Sequence, residues 1–301
     1  MSDPGFDAKL PDTASPCPWN SPTSSPDNAW IDRNPTDQRL IGGFRLHVPL
    51  KQGTTGTVHA ARDPNTGAWV AIKLFHPSPP VATVDPPDPW DFLLRSPHPN
   101  IVRLLAHACD HGQRYVVMEL SRDGNLKQLL PPRRFLSLPL AIVIARQVLL
   151  ALDHLHGHGW LHRDLKPTNL LLFPDHHVKL ADFGLMYPLH APPPPPMGAP
   201  GFMSPEQVMG LALDQRSDLF SLGVLLYRMT TGHHPFPGDS LAALLDHTLL
   251  HHPLEPCRLQ PHLPVSLSRI IMQALEKRPG RRFRDAGEFL HALDACVTTA
   301  A

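Results

Sequence analysis

A chain of 301 residues is long enough for one large domain or two small lobes with a buried core. Its 27 Lys and Arg are balanced by 27 Asp and Glu, so bulk charge points to neither a polyanion nor a membrane surface as partner. The four cysteines, Cys17, Cys109, Cys257 and Cys296, lack the paired spacing of a zinc site or a disulfide framework, as a reducing compartment allows.

Residues 1–40 are rich in Pro, Ser, Asp and Asn and have no hydrophobic period, so they read as a disordered tail. Their hydroxyls, Ser21, Thr23 and Ser24 among them, make the tail either a modification target or an inert solubilising arm. No apolar run opens the chain, and no secretory leader is expected.

Order is expected from residue 41. In "IGGFRLHVPLKQGTTGTVHAARDPNTGAWVAIKLF" short β-branched runs are separated by "GTTG" and "DPNTG", which predicts three antiparallel strands. Gly53 and Gly56 would let a hairpin backbone approach phosphate oxygens closely, although glycines in a hairpin are by themselves ordinary turn residues. Lys73 lies inside an apolar strand and must find a counter-charge, which triphosphate oxygens would supply. "RYVVMEL" (114–120) is a further strand. Next, "PLAIVIARQVLLALDHLHGHG" places Ile144, Ala145, Val148, Leu152 and Leu155 on one helical face. The same region, interrupted by Arg146 and Gln147, falls short of the roughly 18 unbroken apolar residues of a membrane span.

"LHRDLKPTNLLL" (161–172) is a polar cluster between apolar flanks. Asp164 could accept a hydroxyl proton, Lys166 could neutralise a transferring phosphoryl group, and Asn169 could ligate a hard cation. Asp182 in "KLADFGL", after a short apolar strand and before a glycine, suits magnesium. "MYPLHAPPPPPMGAPGFMSPE" (186–206) can be neither a helix interior nor a central strand. Residues 217–231, apolar nearly all round, predict a buried helix. A β-rich first lobe followed by a helical second lobe makes the fold class α+β. The many histidines form no HExxH or similar pattern and read as surface and turn residues.

Taken in this order, "LKQGTTGTV", "VAIK", "HRDLKPTN" and "ADFG" resemble the signature set of the eukaryotic-type serine/threonine protein kinases. "HPNIVRLL" (98–105), "SPEQ" (204–207), "RSDLFSLGVLLYRMTTGHHPF" (216–236) and "RPGRRF" (278–283) extend the likeness over about residues 42–297, and the wording is similar to bacterial members. The resemblance implies a two-lobe kinase domain over 41–298, with a small lobe over about 41–118 and a large lobe over about 121–298. It implies magnesium-assisted phosphoryl transfer from ATP to Ser/Thr hydroxyls of a protein substrate, in a cytoplasmic protein without nucleic-acid or membrane partners. Leu50, Val58, Ala71 and Leu171 would sandwich adenine, Met118 would guard the pocket behind it, and Glu119 and Leu120 would supply backbone hydrogen bonds. Gly53 and Gly56 would cover the phosphates, and Lys73 would grip them. Asp164 would orient the acceptor hydroxyl, aided by Lys166, with Asn169 and Asp182 on the metal. Glu206 and Arg282 match the family's buried ion pair, and Asp218 the aspartate bracing the catalytic loop.

Three departures stand out. Lys51 replaces the first glycine of the phosphate loop, where it is either solvated or within reach of a phosphate. No glutamate lies between Lys73 and His98 to pair with Lys73. Asp88 and Asp91 are the nearby substitutes, on a helix that prolines make short, displaced or dependent on an activating partner at the small lobe. The third departure is the loop between "DFG" and "SPE", where Ala199 replaces a threonine and Tyr187 and Ser204 carry the hydroxyls. The proline run suggests a loop set by stiffness rather than by an activating phosphate. An active kinase and a pseudokinase scaffold are both compatible with these departures.

Overall fold

The computed structural model describes residues 39–76 and 88–298. The expected disordered tail, except for its last two residues, lies outside the described residues. The small lobe is a six-stranded sheet of β1 (Leu40–Ile41), β2 (Phe44–Gln52), β3 (Gly56–Arg62), β4 (Trp69–Phe75), β5 (Leu104–Asp110) and β6 (Gln113–Glu119). The order is β1-β2-β3-β4-β6-β5, antiparallel at every pairing. The three strands expected between residues 41 and 75 are present as β2, β3 and β4. β5 escaped the sequence reading because "LLAHACD" alternates poorly. What makes it a hairpin is the turn at His111 and Gly112, both with positive φ, as a two-residue hairpin loop requires.

Register in this sheet decides which side chains meet. Pro49 lies inside β2, cannot donate to the ladder, and is flanked by register shifts on both sides. After that adjustment Lys51 stands opposite Val58, and Val58 opposite Lys73. Residues directly opposite share a face of the sheet, so two lysines two strands apart look out on the same side. Between β2 and β3 the chain turns tightly, with the Gly53 amide donating to the Gly56 carbonyl at 2.9 Å. A Cβ on Gly56 would come within 2.1 Å of the Leu74 carbonyl oxygen, which explains why glycine stands there.

Helix α1 (Pro89–Arg95) is seven residues long, with Asp88 capping it through the Trp90 amide. The proline-rich stretch before it, residues 77–87, lies outside the described residues. The helical lobe is built on α2 (Leu138–Gly157) and α3 (Gln215–Thr231). By length and composition α2 is apolar enough to cross a membrane. Its predicted face, Ile144 to Leu155, instead lies fully buried in the core of this lobe. α3 is buried along nearly its whole length, as its composition predicts. Around these two pack α4 (Leu241–Leu250), α5 (Val265–Ala274) and α6 (Ala286–Thr298). The two-lobe α+β architecture expected of a kinase is therefore present.

One buried ion pair ties the loop before α3 to the segment before α6. Arg282 donates from Nη1 and Nη2 to the two oxygens of Glu206 at 2.6 and 2.8 Å, and Ser217 Oγ donates to the same carboxylate at 2.6 Å. The remaining Arg282 protons go to the carbonyls of Glu276, Arg216 and Lys277. Burial works to raise the Glu206 pKa, but the Arg282 bonds and charge outweigh it and hold the carboxyl below its ordinary value.

Two stability predictions follow from this packing. Gly223 of α3 faces α5 so closely that a Cβ would lie 2.8 Å from that of Ala274. Gly223→Val should lower stability by about 1–3 kcal/mol in urea unfolding, the cost of overpacking. Glu206→Ala, which strands Arg282 in the core, should cost about 3–5 kcal/mol at pH 7. Because the folded-state pKa lies below the unfolded 4.5, the pair's contribution is fully present above that pH and lost as pH falls through the folded value. The gap between wild type and variant should accordingly narrow below pH 4.5.

Candidate active site

A cleft of about 890 Å3 opens between the lobes. Leu50, Val58, Ala71, Lys73, Met118, Glu119, Leu120 and Leu171 line it, together with Asn169 and Asp182. Gly53 and Gly56 do not line it directly, since they form the turn above. The Glu119 amide already donates to the Arg103 carbonyl at 3.0 Å, so it is not free to donate to an adenine. Ser121 and Asp123, which the sequence reading passed over, also line the cleft, and partial burial raises the Asp123 pKa. Asn125 instead caps a short helix, its side chain accepting from the Lys127 amide.

The floor of the cleft is held by Asp218, at the N-terminal end of α3. Its buried carboxylate accepts from the amides of His162 at 2.9 Å and Arg163 at 2.8 Å, and contacts His156 Nε2 at 2.9 Å. Desolvation works to raise its pKa, but the His156 contact and charge and the His162 contribution bring it below the ordinary range. Asp218 thereby stabilises a strained backbone, because Arg163 has φ of 67°. Buried His162 accepts the Asp164 amide at Nδ1 and faces the Ala181 carbonyl with Nε2 at 3.1 Å, joining this loop to the segment before Asp182. Burial depresses the His162 pKa, in keeping with a neutral ring that accepts at one nitrogen and donates at the other.

Asp164 Oδ2 accepts from Lys166 Nζ at 2.5 Å and from Asn169 Nδ2 at 3.0 Å. Its Oδ1 is buried and has no hydrogen-bond partner among the described residues. Asn169 Nδ2 also donates to the Asp164 carbonyl at 2.8 Å. With its amide nitrogen so engaged, the Asn169 side-chain oxygen is turned toward the cleft.

Asp182, in the left-handed region at φ of 68°, presents its carboxylate between two ammonium groups. Lys73 Nζ donates to Oδ1 at 2.6 Å and to Thr55 Oγ1 at 2.6 Å, while Lys51 Nζ donates to Oδ2 at 2.7 Å. Burial opposes ionisation of Asp182, but Lys73 and Lys51 overcome it and hold the carboxyl well below the usual carboxylate range. Lys51 Nζ also reaches Asn169 Oδ1 at 2.6 Å. The solvated position allowed for Lys51 is thus not the one adopted. Neither acidic substitute for the absent glutamate meets Lys73: Asp88 caps α1 and pairs with Arg114 at 3.3 Å, and Asp91 contacts His107 at 3.0 Å. Both carboxylates are thus engaged away from Lys73, Asp88 at the N-cap of α1 and Asp91 in its first turn.

The proline loop packs against Arg163. Arg163 Nη2 donates to the Pro195 carbonyl at 3.1 Å, and its guanidinium lies 5.0 Å from the centroid of the Tyr187 ring. Tyr187 in turn donates its hydroxyl to the Pro192 carbonyl at 2.8 Å. Ser204 is fully buried, capping a short helix with Gln207. Of the many histidines, His247 and His251 bring one ligand atom each within 4.8 Å of one another and of an Asp246 carboxylate oxygen, on α4 and its C-terminal cap, apart from the cleft lining.

Residues 44–291 match the protein kinase domain family. Pkn1, a serine/threonine-protein kinase of Myxococcus xanthus, is 32% identical over 275 residues, covering 85% of this chain and 38% of the relative. PknJ, a serine/threonine-protein kinase of Mycobacterium tuberculosis, is 31% identical over 279 residues, or 86% and 46% of the two chains. A probable serine/threonine-protein kinase of Clostridium perfringens is 35% identical over 201 residues, 65% of this chain and 29% of the relative. The chain therefore spans less than half the length of these curated relatives. With a family match over residues 44–291 and likeness of this extent, the chain belongs to the protein kinase family, among its bacterial serine/threonine members.

Proposed function

We propose that this chain is an active, magnesium-dependent kinase that transfers the γ-phosphate of ATP to serine or threonine hydroxyls of a protein. The observation that carries the reading is that Lys73, Asn169 and Asp182 line one cleft while Asn169 binds Asp164, which binds Lys166, with Asp164 Oδ1 left without a hydrogen-bond partner among the described residues. Hard oxygen donors at Asn169 and Asp182 fit magnesium, and they already draw an ammonium between them. When bound, the metal would supply charge neutralisation on the phosphates. Asp164 would hold the acceptor hydroxyl through Oδ1 and take its proton, oriented by Asn169. Lys166, 2.5 Å from Asp164 Oδ2, stands ready to stabilise charge on the transferring group. Lys73 would grip phosphate oxygens from the sheet side. Among the described residues, the one helix long and apolar enough to cross a membrane, α2, is a core helix of the large lobe.

The proline loop supports activity without a loop phosphate. Arg163 belongs to the position that meets such a phosphate in the kinases this chain resembles, and here a carbonyl and an aromatic face occupy it. A proline run has no amide donors but keeps its carbonyls, so it suits an arginine that can only donate. The competing reading, a pseudokinase scaffold, is favoured by the absence of a glutamate between Lys73 and His98, by Lys51 in the phosphate loop and by Ala199.

Purified protein with magnesium and γ-labelled ATP should label a generic protein acceptor or itself, and Asp164→Ala should reduce the rate by about 10²-fold or more. Magnesium-dependent stabilisation by ATP without any transfer would instead establish the scaffold reading. Intact-mass and peptide analysis of the active protein should find no stoichiometric phosphate between residues 185 and 203. Finding one there would overturn phosphate-independent activation.

A further inference from the structure

Lys51 stands where the resembling loops carry a glycine, and glycine there would leave the space below it open. The bulge at Pro49 and the pairing with Val58 turn the side chain down into the cleft. Its Nζ bonds Asn169 Oδ1 at 2.6 Å and Asp182 Oδ2 at 2.7 Å, and the side chain is only 30% exposed. These are the two oxygens that the proposed function assigns to a divalent cation. An ammonium is a compact point charge with three donors, and two short bonds to those oxygens put its charge where the cation would sit. Magnesium binds oxygen at about 2.0–2.1 Å and tolerates little departure from octahedral geometry. A metal at that distance from both oxygens cannot coexist with an ammonium lodged between them.

We propose that Lys51 is a built-in competitor for the divalent cation. In the nucleotide-free chain its ammonium closes the Asn169–Asp182 site, and loading the metal requires the side chain to leave. Two lysines face one carboxylate at Asp182, so the sheet side of the cleft carries an excess positive charge that an incoming polyphosphate would draw upon. The phosphates offer Lys51 a second set of oxygens, and nucleotide would therefore open the metal site by relocating this one side chain. The effect is a threshold: the site would need more magnesium than one with glycine at this position, and metal would enter together with nucleotide rather than ahead of it. This inference rests on the kinase reading only in taking Asn169 and Asp182 as cation ligands.

The test uses Mn2+ alone as the probe, its binding to the full nucleotide-free chain followed by electron paramagnetic resonance. Lys51→Met removes the charge and keeps the stem. It should tighten Mn2+ binding by about 5-fold or more, the scale of a typical coupling between two competing ligands. Lys51→Gly, as the second variant, should do the same, and thermal unfolding of each variant without metal checks that it is folded. The gain should vanish in an Asp182→Asn background, which separates this site from Asp246, His247 and His251. Mn2+ affinity unchanged or weakened in both folded Lys51 variants would overturn the proposal. The kinase reading fails separately, on the absence of γ-phosphate transfer. A chain that transfers no phosphate yet binds Mn2+ more tightly as Lys51→Met keeps the competitor, and an active chain with unchanged Mn2+ affinity loses it.

Discussion

The carboxylate of Asp182 joins the two lobes. It sits on the segment after the β7–β8 hairpin (Leu170–Phe173 and His177–Leu180), and both cations that hold it come from the sheet above. Removing such a group from water is costly, and the cost is offset only where geometry and hydrogen bonding are good. Here both oxygens are satisfied at 2.6–2.7 Å. The same contact brings the tip of the β2–β3 turn down, because Lys73 also holds Thr55. Gly184 lies directly beneath, and a Cβ on it would come within 2.7 Å of Lys73 Nζ and 2.8 Å of Thr55 Oγ1. Closure of the cleft and ionisation of Asp182 are thus one arrangement.

Asp218 does for the loop that carries Asp164 what Asp182 does for the lobes. A carboxylate that accepts two successive amides fixes the backbone on which Asp164 is carried, at a residue whose φ few side chains adopt. His162 adds a second tie, to Ala181 immediately before Asp182. The position of Asp164 relative to Asp182 is therefore set by buried polar contacts rather than by the surface of the cleft. That arrangement is consistent with chemistry that depends on positioning and charge.

The proline loop also has a physical logic. Phosphate is one way to satisfy a buried arginine beside Asp164. A chain segment rich in carbonyls and poor in amide protons is another, and it requires no second enzyme. Stiff residues lose little entropy on taking up that form. Tyr187 completes the arrangement by stacking under Arg163 while donating to the same run of prolines.

Much of this was legible in the sequence because it is local. The 3.6-residue period of α2, the turn chemistry between β2, β3 and β4, and the spacing of "HRDLKPTN" and "ADFG" all act over short distances along the chain. Motif resemblance then placed Glu206 opposite Arg282 and Asp218 beneath the loop, contacts that no local pattern contains. Three things were decided only by tertiary structure. β5 owes its existence to its neighbour and its turn, not to its own alternation. Asp88 and Asp91 were candidates by proximity in sequence, but in the fold Asp88 caps α1 and pairs with Arg114, and Asp91 contacts His107. Lys51 was ambiguous, because whether a lysine meets water, phosphate or a carboxylate depends on strand register, and a shift at Pro49 sets that register. Sequence fixes which charges exist; only the folded sheet decides which of them face each other across the cleft.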